Sequence, residues 1–390
     1  METLHLKRDR QLRIQQGHLW AFAGEITEDL KQFQPGDPVV MCESRGQVLG
    51  RGYVNPHSLI AVRLLTRGDE PWGDDLFQIR VKNAWDYRQS VLPQSEARRL
   101  IYSESDGIPG LIVDQYGDNL VLQSLTAGIE RRLDQIVQAL LDVVKPMSIL
   151  SRANSSYRKL EGLDDRDRAL YGEPPSEVIF REEEAIYTAH PRDGPKTGFY
   201  LDQRLNRNLL KSLVRGRRVL DLYSYTGAWG IKALRFGAAE AVMVDSSVKA
   251  ITWGMEDAGR NGVADRCLFV AADVEEFLVE AAKRNDRYDV VILDPPALIK
   301  SRSALAQGLN AYRALNRAAL KLVLPGGYLV SCSCSHLMTR DLHLTAIGEA
   351  AAREGRRVRL AASGGHPPDH PILPGHPETE YLKCWVVKCE

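Results

Sequence analysis

Apolar and polar positions divide this chain into a strand-rich first part and a part, from about residue 190, where strands alternate with helices. In the latter, Arg218-Val219-Leu220-Asp221-Leu222, Ala241-Val242-Met243-Val244-Asp245, Cys267-Leu268-Phe269-Val270, Val290 to Leu293 and Tyr328 to Cys332 each read as a short buried strand. Helical segments separate most of them, which predicts a parallel sheet with helices on its faces. Val358-Arg359-Leu360 and Tyr381 to Val387 are expected to finish that sheet as a hairpin. Over the first seventy residues, short apolar runs are punctuated by Gly and Pro. Gln34-Pro35-Gly36-Asp37 is a turn, and Pro38 leads into Val39-Val40-Met41 at a strand start that tolerates proline. Residues 47–52 and 59–65 add strands, so a small β-barrel is expected, with residues 67–74 as a linker. Residues 76–91 read as an amphipathic helix. Strands at Leu111 to Asp114 and Asn119 to Leu125, a helix over 129–143 and a break at Glu173-Pro174-Pro175-Ser176 predict a small α+β domain. The expected fold class is α/β, in three parts: residues 1–73, 74–188 and 189–390.

Composition narrows the function classes. The hydrophobic fraction of 44% is ample for a core. Net charge is zero, so no global field draws the chain to a polyanion, and any nucleic-acid contact needs local basic patches. The six cysteines include no Cys-x-x-Cys pair. Neither a disulfide framework nor a metal site is expected, and reduced thiols suit a cytoplasmic location. The stretch Met1 to Arg10 lacks the apolar run of a signal peptide, and no run suits a bilayer.

Candidate chemistry gathers at strand ends. Leu329-Val330-Ser331-Cys332-Ser333-Cys334-Ser335 and Val290-Val291-Ile292-Leu293-Asp294-Pro295-Pro296 each read as a strand entering a loop. They place a thiol and a carboxylate where open α/β sheets bind ligands, an arrangement suited to covalent chemistry on an electron-poor ring. The first βα turn, Asp221-Leu222-Tyr223-Ser224-Tyr225-Thr226-Gly227, is not G-x-G-x-x-G, which disfavours a dinucleotide and a nicotinamide oxidoreductase. Asp221, Asp245 and Asp273 end successive strands, and Gly227 lets backbone approach a ligand. Each aspartate alone would suit a helix cap. Together they suit a ligand with ribose and adenine but no phosphates, and the cationic S-adenosylmethionine fits.

Four segments then carry a resemblance in order: Lys196-Thr197-Gly198-Phe199-Tyr200-Leu201-Asp202-Gln203-Arg204, Ser224-Tyr225-Thr226-Gly227, Asp294-Pro295-Pro296 and Ser333-Cys334-Ser335. With Glu104 to Gly110, Asp369-His370-Pro371 and Tyr381-Leu382-Lys383, the chain resembles, over nearly its whole length, the cytosine-5 methyltransferases of large-subunit (23S) ribosomal RNA that carry an N-terminal PUA domain. The resemblance implies a PUA barrel, a connecting α+β domain and a class I methyltransferase domain. It makes Cys334 the nucleophile and Asp294 the carboxylate that holds the cytosine edge. It places Asp221, Asp245 and Asp273 at the cofactor, with Tyr200, Asp202, Gln203 and Arg204 in the segment closing over it. Ser224, Tyr225, Thr226, Gly227, Ser246, Val274 and Asp294 complete the expected cofactor-binding set. Ala297 after Asp-Pro-Pro and His336 after Ser-Cys-Ser depart from the family pattern, at positions the resemblance places toward the target base.

Ala297 cannot stack on a flipped base, which weakens amine methylation against the cysteine route. Cys332 fits a buried strand residue better than Cys334 does. His336 is expected at a cap or in solvent. His366, His370 and His376 sit in a Pro/Gly-rich loop, expected to be a lid rather than a metal site. Lys7, Arg8, Arg10 and Arg13, followed by Trp20 and Phe22, suit phosphate contact and stacking on unpaired bases. For Arg215, Arg217 and Arg218, and for Arg356, Arg357 and Arg359, nucleic-acid contact and solvated charge stand level. The expected partner is single-stranded or loosely structured large-subunit ribosomal RNA, since the target base must leave its stack. No membrane partner is expected, and a homodimer is an allowed arrangement. Two further readings are methylation of another RNA base or position, and a non-catalytic RNA-binding assembly factor.

Overall fold

A computed structural model describes residues 1–390. The chain forms two compact units. The first comprises Met1–Phe180, Ala189–Leu201 and Pro368–Thr379; the second comprises Arg181–Thr188, Asp202–Pro367 and Glu380–Glu390.

The first unit holds two five-stranded sheets. One runs in the order Glu2–His5, Asp37–Cys42, Val48–Val54, Val62–Leu64, Trp20–Ala21 and closes over Leu4, Leu19, Val39, Met41 and Val62. The other is built from Ala97–Tyr102, Leu111–Tyr116, Asn119–Ser124, Ser148–Ser151 and Arg168–Tyr171. Helices Leu76–Val91 and Leu133–Val144 supply Val81, Ala84, Ile136 and Leu140 to its core. The expected helix over 129–143 is two pieces, since Ala127–Glu130 ends before Leu133 begins.

The second unit carries a seven-stranded sheet. Its strands are β1 (Arg218–Leu222), β2 (Glu240–Asp245), β3 (Cys267–Ala271), β4 (Tyr288–Leu293), β5 (Val323–Ser333), β6 (Val358–Gly364) and β7 (Lys383–Cys389). The order is β3-β2-β1-β4-β5-β7-β6, and β7 alone runs antiparallel to β5 and β6. Helices α1 (Ala228–Arg235), α2 (Val248–Arg260), α3 (Val274–Lys283), α4 (Leu305–Leu322) and α5 (Arg340–Arg353) connect them. Leu220, Leu222, Val291 and Leu293 are fully buried, as expected of strands covered on both faces. Side-chain caps start three helices: Ser247 accepts from Ala250, Asp273 from Glu275 and Glu276, and Thr339 from Leu342.

Pro325-Gly326-Gly327 has the composition of a turn but lies inside β5, as a bulge with Gly326 at φ +78°. A Cβ on Gly327 would meet the Asp289 carbonyl at 2.5 Å, so only glycine lets the two backbones come so close. β6 and β7 pair antiparallel as expected, but no tight turn joins them; the chain between them includes Pro368–Thr379 of the first unit.

Candidate functional site

The parallel strands direct their carboxyl ends to one edge of the sheet, and the turn after β1 is strained there. Tyr223, Tyr225 and Gly227 take φ values of +61°, +50° and +74°. Left-handed backbone at two tyrosines is uncommon and clusters at functional sites. A Cβ on Gly227 would meet the Phe269 ring at 2.9 Å. Asp221 is fully buried; one carboxylate oxygen accepts the Gly230 N–H at 3.0 Å and the other has no partner. Burial, with the Asp294 and Asp245 carboxylates nearby, pushes its pKa well above the ordinary range. The buried hydroxyls of Ser224 and Thr226 also lack protein partners. Unsatisfied buried polar atoms cost free energy, so this cluster suits a polar ligand that completes it.

Asp245 ends β2 half-buried, accepting the Tyr225 and Ser247 N–H groups at 2.9 Å each. Ser246 is exposed beside it. Asp273 is exposed and caps α3, and Val274 packs into the core with Leu222 and Leu278. Backbone atoms are therefore what Val274 has to offer a ligand. Tyr200 falls in the first unit, with the Lys196 ammonium 5.2 Å from its ring centre. Asp202, Gln203 and Arg204 fall in the second unit and are buried; Asp202 accepts the Tyr381 hydroxyl at 2.6 Å.

Asp294 follows β4. The Gln203 amide donates to both its oxygens at 2.9 and 3.0 Å, and the Trp229 indole donates to one at 3.1 Å. Asn206 fixes Gln203 in turn, donating to its carbonyl at 2.7 Å while accepting the Gly365 N–H at 2.9 Å. Despite these donors, burial and the Asp202 carboxylate push Asp294 up to about 7. A carboxyl near neutrality can donate or accept a hydrogen bond at physiological pH. Trp229 and Asn206 are missing from the sequence reading. Trp229 stands two residues past Gly227, where an indole N–H on the first turn of α1 was the available signal.

β4 and β5 are neighbours with Leu293 opposite Ser331. Asp294 lies one residue beyond that pair and Cys334 three residues beyond it. The sheet ends at Ser333, so Cys334 leaves the strand half-buried, with its sulfur 3.8 Å from the Pro295 carbonyl. Its neighbours are held firmly. The Tyr312 hydroxyl bonds Ser333 at 2.9 Å and Ser335 at 3.0 Å, and Ser335 accepts the Ile299 N–H at 3.2 Å. Cys332 faces Cys384 inside the sheet, and burial holds its thiol well above the ordinary value. Ala297 and His336 are both exposed, and the His336 ring is 5.6 Å from that of Tyr381.

Several other expected contact residues have partners within the fold. Arg13 pairs with Glu25 and stacks on Phe22, and the Trp20 indole donates to Glu104 at 2.8 Å. Trp20 is therefore anchored within the fold rather than offered to a base. Arg218 pairs with Glu240, and Arg217 lies over Tyr328. Arg356 caps the end of α4 through the Leu320, Val323 and Leu324 carbonyls, while Arg357 and Arg359 reach Glu390. In the third patch Arg356 is thus structural, while Arg357 and Arg359 stay exposed.

The histidine lid is also corrected. His370 and His376 are buried, and His366 accepts the Tyr381 and Leu382 N–H groups at 2.9 Å each. His18, His376 and Glu378 bring three candidate ligand atoms within 4.8 Å of one another. Yet Nδ1 of His18 accepts the Trp20 N–H at 3.1 Å and Nδ1 of His376 accepts the Leu19 N–H at 3.3 Å. With Nδ1 accepting in each ring, a proton sits on Nε2, facing Glu378, which opposes a cation there.

Comparison with known proteins agrees with this architecture. A PUA-like domain family matches residues 4–67, and an S-adenosylmethionine-dependent methyltransferase family matches residues 169–379. The ribosomal RNA large subunit methyltransferase I of Tolumonas auensis is 35% identical, covering 99% of each chain. That of Aeromonas hydrophila is 36% identical, again covering 99% of each. A solved structure of a putative S-adenosylmethionine-dependent methyltransferase from Streptococcus mutans covers 100% of both chains with a TM-score of 0.87 at 21% identity, a likeness of fold. No helix of the chain is long and apolar enough to cross a membrane. With a PUA-like domain followed by an S-adenosylmethionine-dependent methyltransferase domain of class I fold, this chain belongs to the ribosomal RNA large subunit methyltransferase I family.

Proposed function

We propose that this protein methylates large-subunit (23S) ribosomal RNA, and that the product is cytosine methylated at carbon 5 through a covalent cysteine adduct. The observation that carries this reading is the pairing of two loops. Cys334 leaves β5 with its sulfur 3.8 Å from the Pro295 carbonyl, directly after Asp294, whose carboxyl sits at about 7.

In this account Cys334 attacks as the thiolate, forming an S–C6 bond and moving the ring's C5–C6 electron pair toward carbon 5. Asp294, partly protonated, donates to the ring nitrogen beside the amino group and steadies the charge that develops there. S-adenosylmethionine, when bound, supplies a methyl group of cationic character. The adduct then loses the carbon-5 proton to a base, the C5–H electron pair restores the C5–C6 double bond, and Cys334 leaves as the thiolate with the S–C6 pair.

For the cofactor we assign the partnerless oxygen of Asp221, the hydroxyls of Ser224 and Thr226 and the close approach at Gly227. Tyr225, Asp245 and Ser246 line the next strand end, Asp273 and Val274 the third, and Tyr200 to Arg204 the covering segment. A cationic sulfonium tolerates this acidic set, whereas a pyrophosphate would be repelled. We assign the RNA-binding barrel to residues 1–73, the connecting domain to 74–188 and the methyltransferase domain to 189–390. Single-stranded or loosely structured RNA is the expected substrate form, because extrusion of a base then costs least. The cytoplasm is its expected location; a homodimer is compatible with the proposal.

RNA carrying 5-fluorocytosine tests the covalent step, since fluorine cannot leave as the proton does. With S-adenosylmethionine present, wild-type protein is expected to form an adduct that survives denaturing electrophoresis. Absence of that adduct under conditions where the protein methylates ordinary RNA counts against the thiol route.

A further inference from the structure

We propose that Lys383 is a positioning residue for Cys334: its ammonium clamps the loop that carries the thiol and favours the thiolate. The proposal rests on reading Cys334 as the nucleophile. In the register of β5 against β7, Lys383 lies directly opposite Ser333, the residue before Cys334. Its side chain is almost wholly buried. Nζ donates to the Ser335 carbonyl at 2.8 Å and to the Tyr381 carbonyl at 2.9 Å. One bond thus holds the residue after Cys334, and the other holds the entry to β7. An ammonium has three donors, and these carbonyls take two.

A buried cation is costly unless a counter-charge lies near. Four titratable groups face it. Glu380 and the Cys334 thiolate favour the charged ammonium, and Arg340 opposes it. His343, on α5 with Arg340, is neutral because burial and these two cations push it to about 3. Burial is the largest influence on Lys383 and brings it down to about 8, so it is mostly protonated at neutral pH. Coupling between two charges is reciprocal: a thiolate that favours the ammonium is favoured by it equally. On ionisation the S–H proton passes to water, and Lys383 keeps its own.

Iodoacetamide alkylation of the RNA-free protein across pH 6–10, read at the Cys334 peptide by mass spectrometry, tests this. Lys383→Gln keeps donors for both carbonyls but removes the charge. The Cys334 profile is expected to move up by about one pH unit, a roughly tenfold loss of rate at pH 7, and Lys383→Arg is expected to recover most of it. A Gln profile that overlays wild type, or equal losses in Gln and Arg, would overturn the proposal. If Lys383→Gln melts early, Lys383→Met is compared with Lys383→Arg by the same readout. Retention of methyl transfer by Cys334→Ala would sink the nucleophile reading instead, while the alkylation profile still reports on the Lys383–Cys334 pair.

Discussion

Asp294→Asn replaces a carboxyl that burial and Asp202 push up to about 7 with a neutral amide of the same shape. The native carboxyl therefore holds its proton to a higher pH than the unfolded chain does. Its contribution to stability is fully present below the unfolded value near ~4 and is lost as pH rises through about 7. A shift of about three units corresponds to roughly 4 kcal/mol against the ionised form at pH 8. Asp294 is partly open to solvent, which makes this an upper bound. The amide keeps an acceptor for the Trp229 or Gln203 N–H but turns its own NH₂ toward the other donor, at a cost of about 1–3 kcal/mol. The variant should therefore be more stable than wild type at pH 8 by about 1–3 kcal/mol, and this margin should shrink by about 2 kcal/mol at pH 5.5, where the unfolded carboxyl is ionised and the native one is not. For a unit of this size that is about 2–4 °C per kcal/mol in melting temperature. Methyl transfer should meanwhile fall by roughly 10²–10⁴. Thermal melts at both pH values and a transfer assay read the two effects. An equal melting shift at pH 5.5 and pH 8, or near-normal transfer, would refute Asp294 as a buried, titrating catalytic group.

Three further outcomes are expected. The pH profile of kcat/KM should rise as the Cys334 thiol ionises and fall as Asp294 loses its proton through about 7; a profile with no falling limb counts against a protonated Asp294. Gly227→Ala, which forces a side chain onto the Phe269 ring at a backbone of φ +74°, should weaken S-adenosylmethionine binding measured by calorimetry and cost about 1–3 kcal/mol of stability. Cys332→Ala should keep methyl transfer while losing about 1–2 kcal/mol to a core cavity; a loss of transfer without a loss of stability would reverse the roles assigned to the two thiols.

The parallel sheet was legible because Val290 to Leu293 and its counterparts are continuous apolar runs, which only a strand covered on both faces tolerates. The strand-end positions of Asp221, Asp245 and Asp294 followed from the same runs. The bulge at Gly326 was not legible, because Pro-Gly-Gly has the composition of a turn and only the approach of Asp289 makes it part of a strand. Trp20 looked like a base-stacking residue, but Glu104, distant in sequence, holds its indole. His370 and His376 read as lid residues, yet they are buried in the first unit, to which Pro368–Thr379 belongs. Lys383 stood in the quoted Tyr381-Leu382-Lys383 segment, but its relation to Cys334 comes from an antiparallel pairing between strands far apart in sequence. Long-range pairing of this kind leaves no periodicity for a reader of the sequence to find.

Nucleoside mass spectrometry after methyl transfer from labelled S-adenosylmethionine to unmodified large-subunit ribosomal RNA, with wild type beside Cys334→Ala, tests the central claim most directly. Labelled 5-methylcytidine from wild type and none from the variant is the expected result. A label on another nucleoside, or 5-methylcytidine made equally by the variant, would contradict it.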